Sequence, residues 1–76
     1  MKVKNIKEIR IKRKLTQDEA SKKLGITKEY LSMIERGIRN PSDTLKYKFA
    51  ELYNVSVTYI FLALKETNSF KSKNNL

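Results

Sequence analysis

Apolar side chains recur along this chain at intervals of three and four residues, the spacing that places them on one face of an α-helix. The clearest stripe is formed by Leu45, Phe49, Leu52 and Tyr53. We find no run of alternating apolar and polar residues, which would indicate a strand, and no internal repeat. The pattern therefore predicts an all-α protein.

Capping residues divide this pattern into five predicted helices, which form a compact bundle. Thr16 and Glu19 have the spacing of a capping box, and Gly25 occupies a helix-ending position that favours a left-handed backbone. The predicted helices run from Val3 or Asn5 to about Leu15, from the Thr16 cap to Leu24, from the Thr27 cap to about Arg36, from Ser42 or Asp43 to Asn54, and from the Ser56 cap to about Lys65. We expect residues 1–65 to form one domain and residues 66–76, which are polar, to form a flexible tail.

The amino-acid composition limits the kinds of partner and site that this chain can have. The chain has 76 residues, a formal net charge of +9, no cysteine and no histidine. The charge indicates an acidic partner, and the missing residue types remove the usual general base and the usual zinc ligands. Helix capping explains the adjacent carboxylates of Asp18 and Glu19. We therefore expect no enzymatic activity, no cofactor and no metal.

The distribution of apolar residues also bears on location. The longest run counted with aromatics, Tyr59–Leu64, has six residues, whereas a membrane-spanning helix needs about 20. The basic N-terminus is not followed by the apolar stretch of a signal peptide. We expect a cytoplasmic, nucleoid-associated protein that does not bind membranes.

Residues 17–36 are the most informative segment, because they read as two short helices joined at Gly25. The apolar positions face inward, while several basic residues project to solvent and leave the outer face of the second helix free. The inward positions are Leu24, Ile26, Leu31 and Ile34, and the basic ones are Lys22, Lys23, Lys28 and Arg36. A free helix on a basic domain is what entry into a DNA major groove requires.

The segment LTQDEASKKLGITKEYLSMIERGIRNPS, residues 15–42, resembles the helix-turn-helix of the lambda repressor-like (Cro/cI or XRE) family. The continuation SDTLKYKFAELYNVSVTYIF resembles the family's fourth and fifth helices, so the likeness covers roughly residues 5–64. The resemblance implies a five-helix domain that binds operator DNA as a dimer and regulates transcription.

Two positions depart from the family pattern. Ala20 and Ser21 stand where the family usually has Leu-Ala, and the loss of one buried leucine implies a cost of roughly 2 kcal/mol. Lys46 stands where many members have a leucine, so we expect Leu45 to take that core position.

The first turns of the third helix are the candidates for reading bases. They are Lys28, Glu29, Tyr30, Ser32 and Met33. Lys28 can donate to guanine O6 or N7, and Glu29 can accept from cytosine N4, although both also suit an ordinary solvated face. Tyr30 has two open interpretations, packing on the edge of the second helix or contact with a thymine methyl group.

A second group is expected to contact DNA phosphates: Gln17, Thr27, Arg36, Arg39, Asn40, Ser42 and Lys46. The resemblance implies that Gln17 binds a phosphate and that the loop after the third helix follows the DNA backbone. The alternatives are an exposed helix-start residue without a partner for Gln17 and a simple turn for Asn40-Pro41.

Arg10 lies on the apolar stripe of the first helix, where an unpaired charge would be costly. Family members carry Arg and Glu at matching positions, so we expect Arg10 to form an ion pair with Glu35. The alternative is that Arg10 contacts a phosphate.

The fifth helix has more apolar residues than one buried face needs. Phe61, Leu62 and Leu64 are therefore candidates for a homodimer contact, at least on DNA. Such a two-fold dimer would place its third helices about 34 Å apart and require a palindromic operator. The alternative is that these residues close the core under the first helix.

The leading hypothesis is a sequence-specific regulator of double-stranded DNA, a repressor that binds its operator as a homodimer. The second is a protein-interaction module on the same fold, such as an antitoxin or a switch controlled by a protein partner. The sequence does not identify such a partner, whether antirepressor or toxin. A membrane-surface peptide fits poorly, because the charges are spread over several capped helices.

Overall fold

The computed structural model describes the backbone of residues 5–73 and the side chains of residues 5–67. Five helices follow one another: α1 Ile6–Lys12, α2 Gln17–Leu24, α3 Lys28–Glu35, α4 Asp43–Tyr53 and α5 Val57–Lys73. No strand occurs within residues 5–73. The all-α prediction and the number of helices are confirmed.

Side chains that bond to nearby backbone amides set the starts of the helices. Thr16 accepts from the Glu19 amide at 3.0 Å, and the Glu19 carboxylate accepts from the Thr16 amide at 2.9 Å, so the predicted capping box is present. These bonds hold the pKa of Glu19 below its usual value. Asn5 and Glu8 form an equivalent box at α1. Each box satisfies two amides that a helix start otherwise leaves unpaired.

The boundaries of the first and last helices differ from the prediction. α1 ends at Lys12 instead of near Leu15, because the chain turns at Lys14, whose φ is +60°. The predicted start at Val3 lies outside the described residues. α5 continues to Lys73, so most of the segment predicted as a flexible tail is helical, while residues 74–76 lie outside the described part.

A long-range hydrogen bond accounts for part of this extension of α5. The Thr67 hydroxyl oxygen accepts from the Ile6 amide at 3.1 Å and donates to the Ala63 carbonyl at 2.8 Å. Thr67 therefore supplies the acceptor for the first backbone amide of α1, although the two residues are far apart in the sequence. The segment after Lys65 also contains no glycine or proline that would stop the helix.

The core lies among all five helices. Its fully buried large side chains are Ile6, Leu24, Leu31, Ile34, Phe49, Tyr53 and Ile60. Leu45 is also buried, as expected of the residue that replaces the family leucine. Ala20 and Ser21 are buried too, and the Ser21 hydroxyl donates to the Asp18 carbonyl at 3.0 Å, so this small polar residue is satisfied.

Candidate nucleic-acid interface

The α2–α3 unit presents the start of α3 to solvent. Gly25 ends α2 with φ +75°, a left-handed conformation that turns the chain sharply into α3. Leu31 and Ile34 anchor α3 in the core, whereas Lys28 and Glu29 in its first turn are exposed. The two residues with the clearest base-reading chemistry therefore lie on an open surface.

The other base-reading candidates are less accessible. Tyr30 is half-buried and packs against the core, beside a depression that Leu24 of α2 also lines. Of the two interpretations of Tyr30, this position favours packing. Ser32 and Met33 are half-buried on α3. Fewer side chains of α3 are therefore open to solvent than the helical spacing of the sequence predicts.

The predicted ion pair is present between α1 and the end of α3. Arg10 Nε lies 2.7 Å from Glu35 Oε2, and a second guanidinium nitrogen donates to Glu35 Oε1 at 3.2 Å. The side chains are only 9% and 2% exposed. Arg10 also donates to the Leu15 carbonyl at 2.7 Å. Both charges are therefore paired and hydrogen-bonded, as burial requires.

Gln17 joins this pair from the first turn of α2. Its Nε2 donates to Glu35 Oε1 at 3.0 Å, so the alternative of an exposed residue without a partner is wrong. An amide nitrogen carries two N–H groups, and one of them remains available. The Arg10–Glu35–Gln17 cluster thus fixes the start of α2 relative to α1 and α3.

The phosphate candidates around the helix starts keep a usable donor. The Thr27 hydroxyl accepts from the Tyr30 amide at 3.0 Å, and the Ser42 hydroxyl accepts from the Leu45 amide at 3.2 Å. Each hydroxyl retains its own proton, which it can donate outward. Capping therefore does not remove either residue from the candidate interface.

The loop after α3 folds back on that helix. The amides of Ile38 and Arg39 both donate to the Met33 carbonyl, at 2.9 and 3.3 Å. Arg36, Arg39 and Asn40 are exposed, and Arg36 Nε lies 3.4 Å from the Ser32 carbonyl. The loop thus carries two exposed arginines beside the end of α3.

Lys46 is placed differently from the prediction of a phosphate contact. Its Nζ lies 4.6 Å from the centre of the Phe61 ring and 3.4 Å from Asp43 Oδ1. The side chain is only 12% exposed. The charge therefore lies between the Phe61 ring of α5 and the Asp43 carboxylate at the start of α4, and both already contact it.

One of the three candidates for the dimer contact, Leu64, is not on the surface. Leu64 is 3% exposed and belongs to the core, because it follows Ile60 by one helical turn on the buried face of α5. Phe61 and Leu62 are 40% and 44% exposed, so these two are the large apolar side chains that α5 exposes among residues 57–67. The alternative that the residues close the core holds only for Leu64.

Tyr53 carries an unsatisfied polar atom close to the ion-pair cluster. Its hydroxyl is buried and has no hydrogen-bond partner among the described residues. Burial raises the pKa of Tyr53, and the negative charge of Glu35 adds to this effect. This phenol therefore stays protonated well above the pH at which an ordinary tyrosine ionises.

Lys48 was not selected from the sequence, yet it borders the depression that lies beside Tyr30. The α4 pattern places it one turn after Thr44. The sequence does not indicate this position, because it does not show which side of α4 packs against the α2–α3 turn.

Within the described residues, no helix is long and apolar enough to cross a membrane. The described part also contains no group of three or more Asp, Glu, His or Cys residues placed to hold a metal ion.

Comparison with known proteins gives a consistent result. A family model described as Helix-turn-helix matches residues 6–60. An uncharacterised HTH-type transcriptional regulator of Archaeoglobus fulgidus is 40% identical over 57 residues, which cover 75% of this chain and 80% of that protein. Another, from Methanocaldococcus jannaschii, is 35% identical over 57 residues, 75% of this chain and 86% of its own length.

A longer relative is also known by name. The HTH-type transcriptional regulator ImmR of Bacillus subtilis is 44% identical over 57 residues, which are 75% of this chain and 45% of that protein. No solved structure matches the chain. The matched region contains α1 to α4 and the start of α5, including the whole α2–α3 unit. The chain therefore belongs to the helix-turn-helix family, as a DNA-binding transcriptional regulator of the lambda repressor-like, XRE type.

Proposed function

We propose that this protein is a sequence-specific repressor that binds a palindromic operator as a homodimer, with α3 in the major groove. The observation that carries the proposal is the exposed first turn of α3, where Lys28 and Glu29 stand on a helix anchored in the core by Leu31 and Ile34. A helix that reads base edges needs both a rigid support and free side chains at its N-terminal end.

The charge and the neighbouring donors support binding to the DNA backbone. The net charge of +9 attracts a polyanion, and the exposed Arg36 and Arg39 lie in the loop beside α3. Gln17 retains one N–H, and Thr27 and Ser42 retain hydroxyl protons, for donation to phosphates. Contacts of this kind position the protein, whereas Lys28 and Glu29 would supply the sequence preference.

Two exposed residues support a dimer. Phe61 and Leu62 are adjacent on α5 and form an apolar surface that a second copy would cover. A two-fold arrangement brings two α3 helices to successive major-groove faces about 34 Å apart. Repression then follows when the operator overlaps a promoter and the bound dimer blocks it.

The test is selection of duplexes from a random DNA pool with the wild type and with Lys28→Ala. We expect a palindrome from the wild type and the loss of one base preference per half-site from the variant. Lys22→Ala is the matched control, because Lys22 is an exposed lysine whose partner is Asp18, and its loss should leave the selected sequence unchanged. Equal binding of every duplex and of heparin would contradict the proposal.

The same apolar surface supports a second candidate, a protein-interaction module such as an antitoxin or partner-regulated switch. Phe61→Ser separates the two. The repressor proposal expects this variant to be monomeric and to bind a single half-site with unchanged base preference, measured by sedimentation and by titration. A variant that remains dimeric and retains full operator affinity would leave the surface free for another protein.

A further inference from the structure

Lys48 stands at the edge of a surface depression next to the start of α3. The depression has a volume of about 210 Å³ and lies between the α2–α3 turn and the N-terminal half of α4. Ile26 and Tyr30 line it from one side, and Ser42 and Lys48 line it from the other. Lys48 is exposed, and it lines the same depression as Tyr30 of the first turn of α3.

Lys46 and Lys48 are two positions apart and lie on opposite sides of α4. Two residues correspond to a rotation of about 200° around a helix. Lys46 packs over Phe61 of α5 and pairs with Asp43, whereas Lys48 lies on the flank that faces the α2–α3 unit. Among the described residues Lys48 has no ion-pair partner, so its charge is available to a ligand.

We propose that Lys48 contacts a DNA phosphate next to the base-reading turn of α3, the role that the sequence had assigned to Lys46. This inference rests on the proposed function and adds a contact to it. A lysine on a flexible four-carbon stem suits such a point contact, which requires charge and reach but no fixed geometry. A contact of this kind adds affinity for every sequence and carries no base preference.

The charges around Lys48 define what a phosphate would meet there. An adjoining groove of about 470 Å³ is lined by Lys23, Lys48, Glu51 and Leu52. Lys23 adds positive charge, while Glu51, one turn after Lys48, opposes it. The Glu51→Gln variant should therefore bind DNA more tightly than the wild type, because it removes the carboxylate nearest along α4.

The decisive experiment titrates the selected operator duplex with the wild type and with Lys48→Ala at several salt concentrations. Each phosphate contact contributes about 0.9 to the slope of log K against log salt. Relative to 1 M salt, this slope corresponds to an affinity about eightfold higher at 0.1 M salt. We expect Lys48→Ala to lose about that factor and to have a slope shallower by about 0.9. The loss should be equal for the operator and for a 20-base-pair duplex of scrambled sequence.

Lys65→Ala is the matched control, because it removes the same charge from an exposed position on α5 that does not line the depression. We expect its slope to equal that of the wild type. The inference is overturned if Lys48→Ala and Lys65→Ala agree within twofold in affinity and have the same slope. Lys48→Gln and urea unfolding of each variant verify that a loss does not reflect poor folding.

The same series separates this inference from the proposed function. If Lys28→Ala abolishes a base preference while Lys48→Ala behaves like Lys65→Ala, only the contact at Lys48 is wrong. If the wild type prefers no duplex, the proposed function itself is wrong.

Discussion

Removal of Glu35 should destabilise this fold more than almost any other single polar substitution. The Glu35 side chain is 2% exposed, and its carboxylate is bonded to Arg10 at 2.7 and 3.2 Å and to Gln17 at 3.0 Å. Glu35→Ala leaves the Arg10 charge buried without a counter-ion. Breaking a buried pair in this way costs about 3–5 kcal/mol, and the lost Gln17 bond adds about 1 kcal/mol.

That loss is large against the stability available. A chain of this length is expected to be stable by roughly 4–11 kcal/mol, at 0.05–0.15 kcal/mol per residue. With a urea m-value near 1 kcal/mol/M, a loss of about 4–6 kcal/mol should lower the unfolding midpoint by about 4–6 M, or unfold a protein at the low end of that range without urea. Lys22→Ala is the control: its pair with Asp18 is exposed and should shift the midpoint by less than about 1 M.

The assay is urea unfolding followed by circular dichroism, and Arg10→Met, Glu35→Leu and the double variant Arg10→Met/Glu35→Leu complete a double-mutant cycle. The double variant should be more stable than either single variant at its two sites, because it leaves no buried charge. A Glu35→Ala midpoint within about 1 M of the wild type would refute the reasoning, since the pair would then contribute no more than a surface contact.

Three further predictions concern single positions. Tyr53→Phe should stabilise the protein by about 1 kcal/mol, since it removes an unpaired buried hydroxyl. Because burial raises the pKa of Tyr53, the stability of the wild type should also fall relative to this variant above about pH 10, where the phenol of the unfolded chain ionises. Equal pH profiles of the two proteins would contradict this prediction. Gly25→Ala should cost about 1–2 kcal/mol although nothing lies within 4 Å of the added Cβ, because φ is +75°; a thermal melt that does not shift would refute this. Thr67→Val should cost about 1 kcal/mol and speed hydrogen exchange at the Ile6 amide, which would lose its acceptor; unchanged exchange would show that the bond is unimportant.

The sequence predicted the central helices well because local bonds set their ends. The Thr16–Glu19 box and the Thr27 and Ser42 caps join residues three apart, so the spacing alone reveals them. The end of α5 was missed because Thr67 bonds to Ile6, a residue 61 positions away. Such a contact exists only after the helices have packed.

The sequence likewise predicts part of the candidate site, namely the features that depend on local pattern. The Arg10–Glu35 pair followed from one charge on an apolar stripe and the family pattern. The direction of Lys46 did not, because it depends on the Phe61 ring of another helix. Burial of Leu64 beside exposed Leu62 likewise depends on which face of α5 meets the core. The base and phosphate contacts remain predictions.

The bonds of Glu35 limit how far the two-helix motif can be transplanted. Gln17 and Glu35 belong to α2 and α3, but the guanidinium that neutralises Glu35 comes from Arg10 on α1. A chimera that receives only α2 and α3 would import a carboxylate without its counter-ion. A transplant of the two-helix motif must therefore include α1 as well, or use a host scaffold that already has an arginine at the matching place.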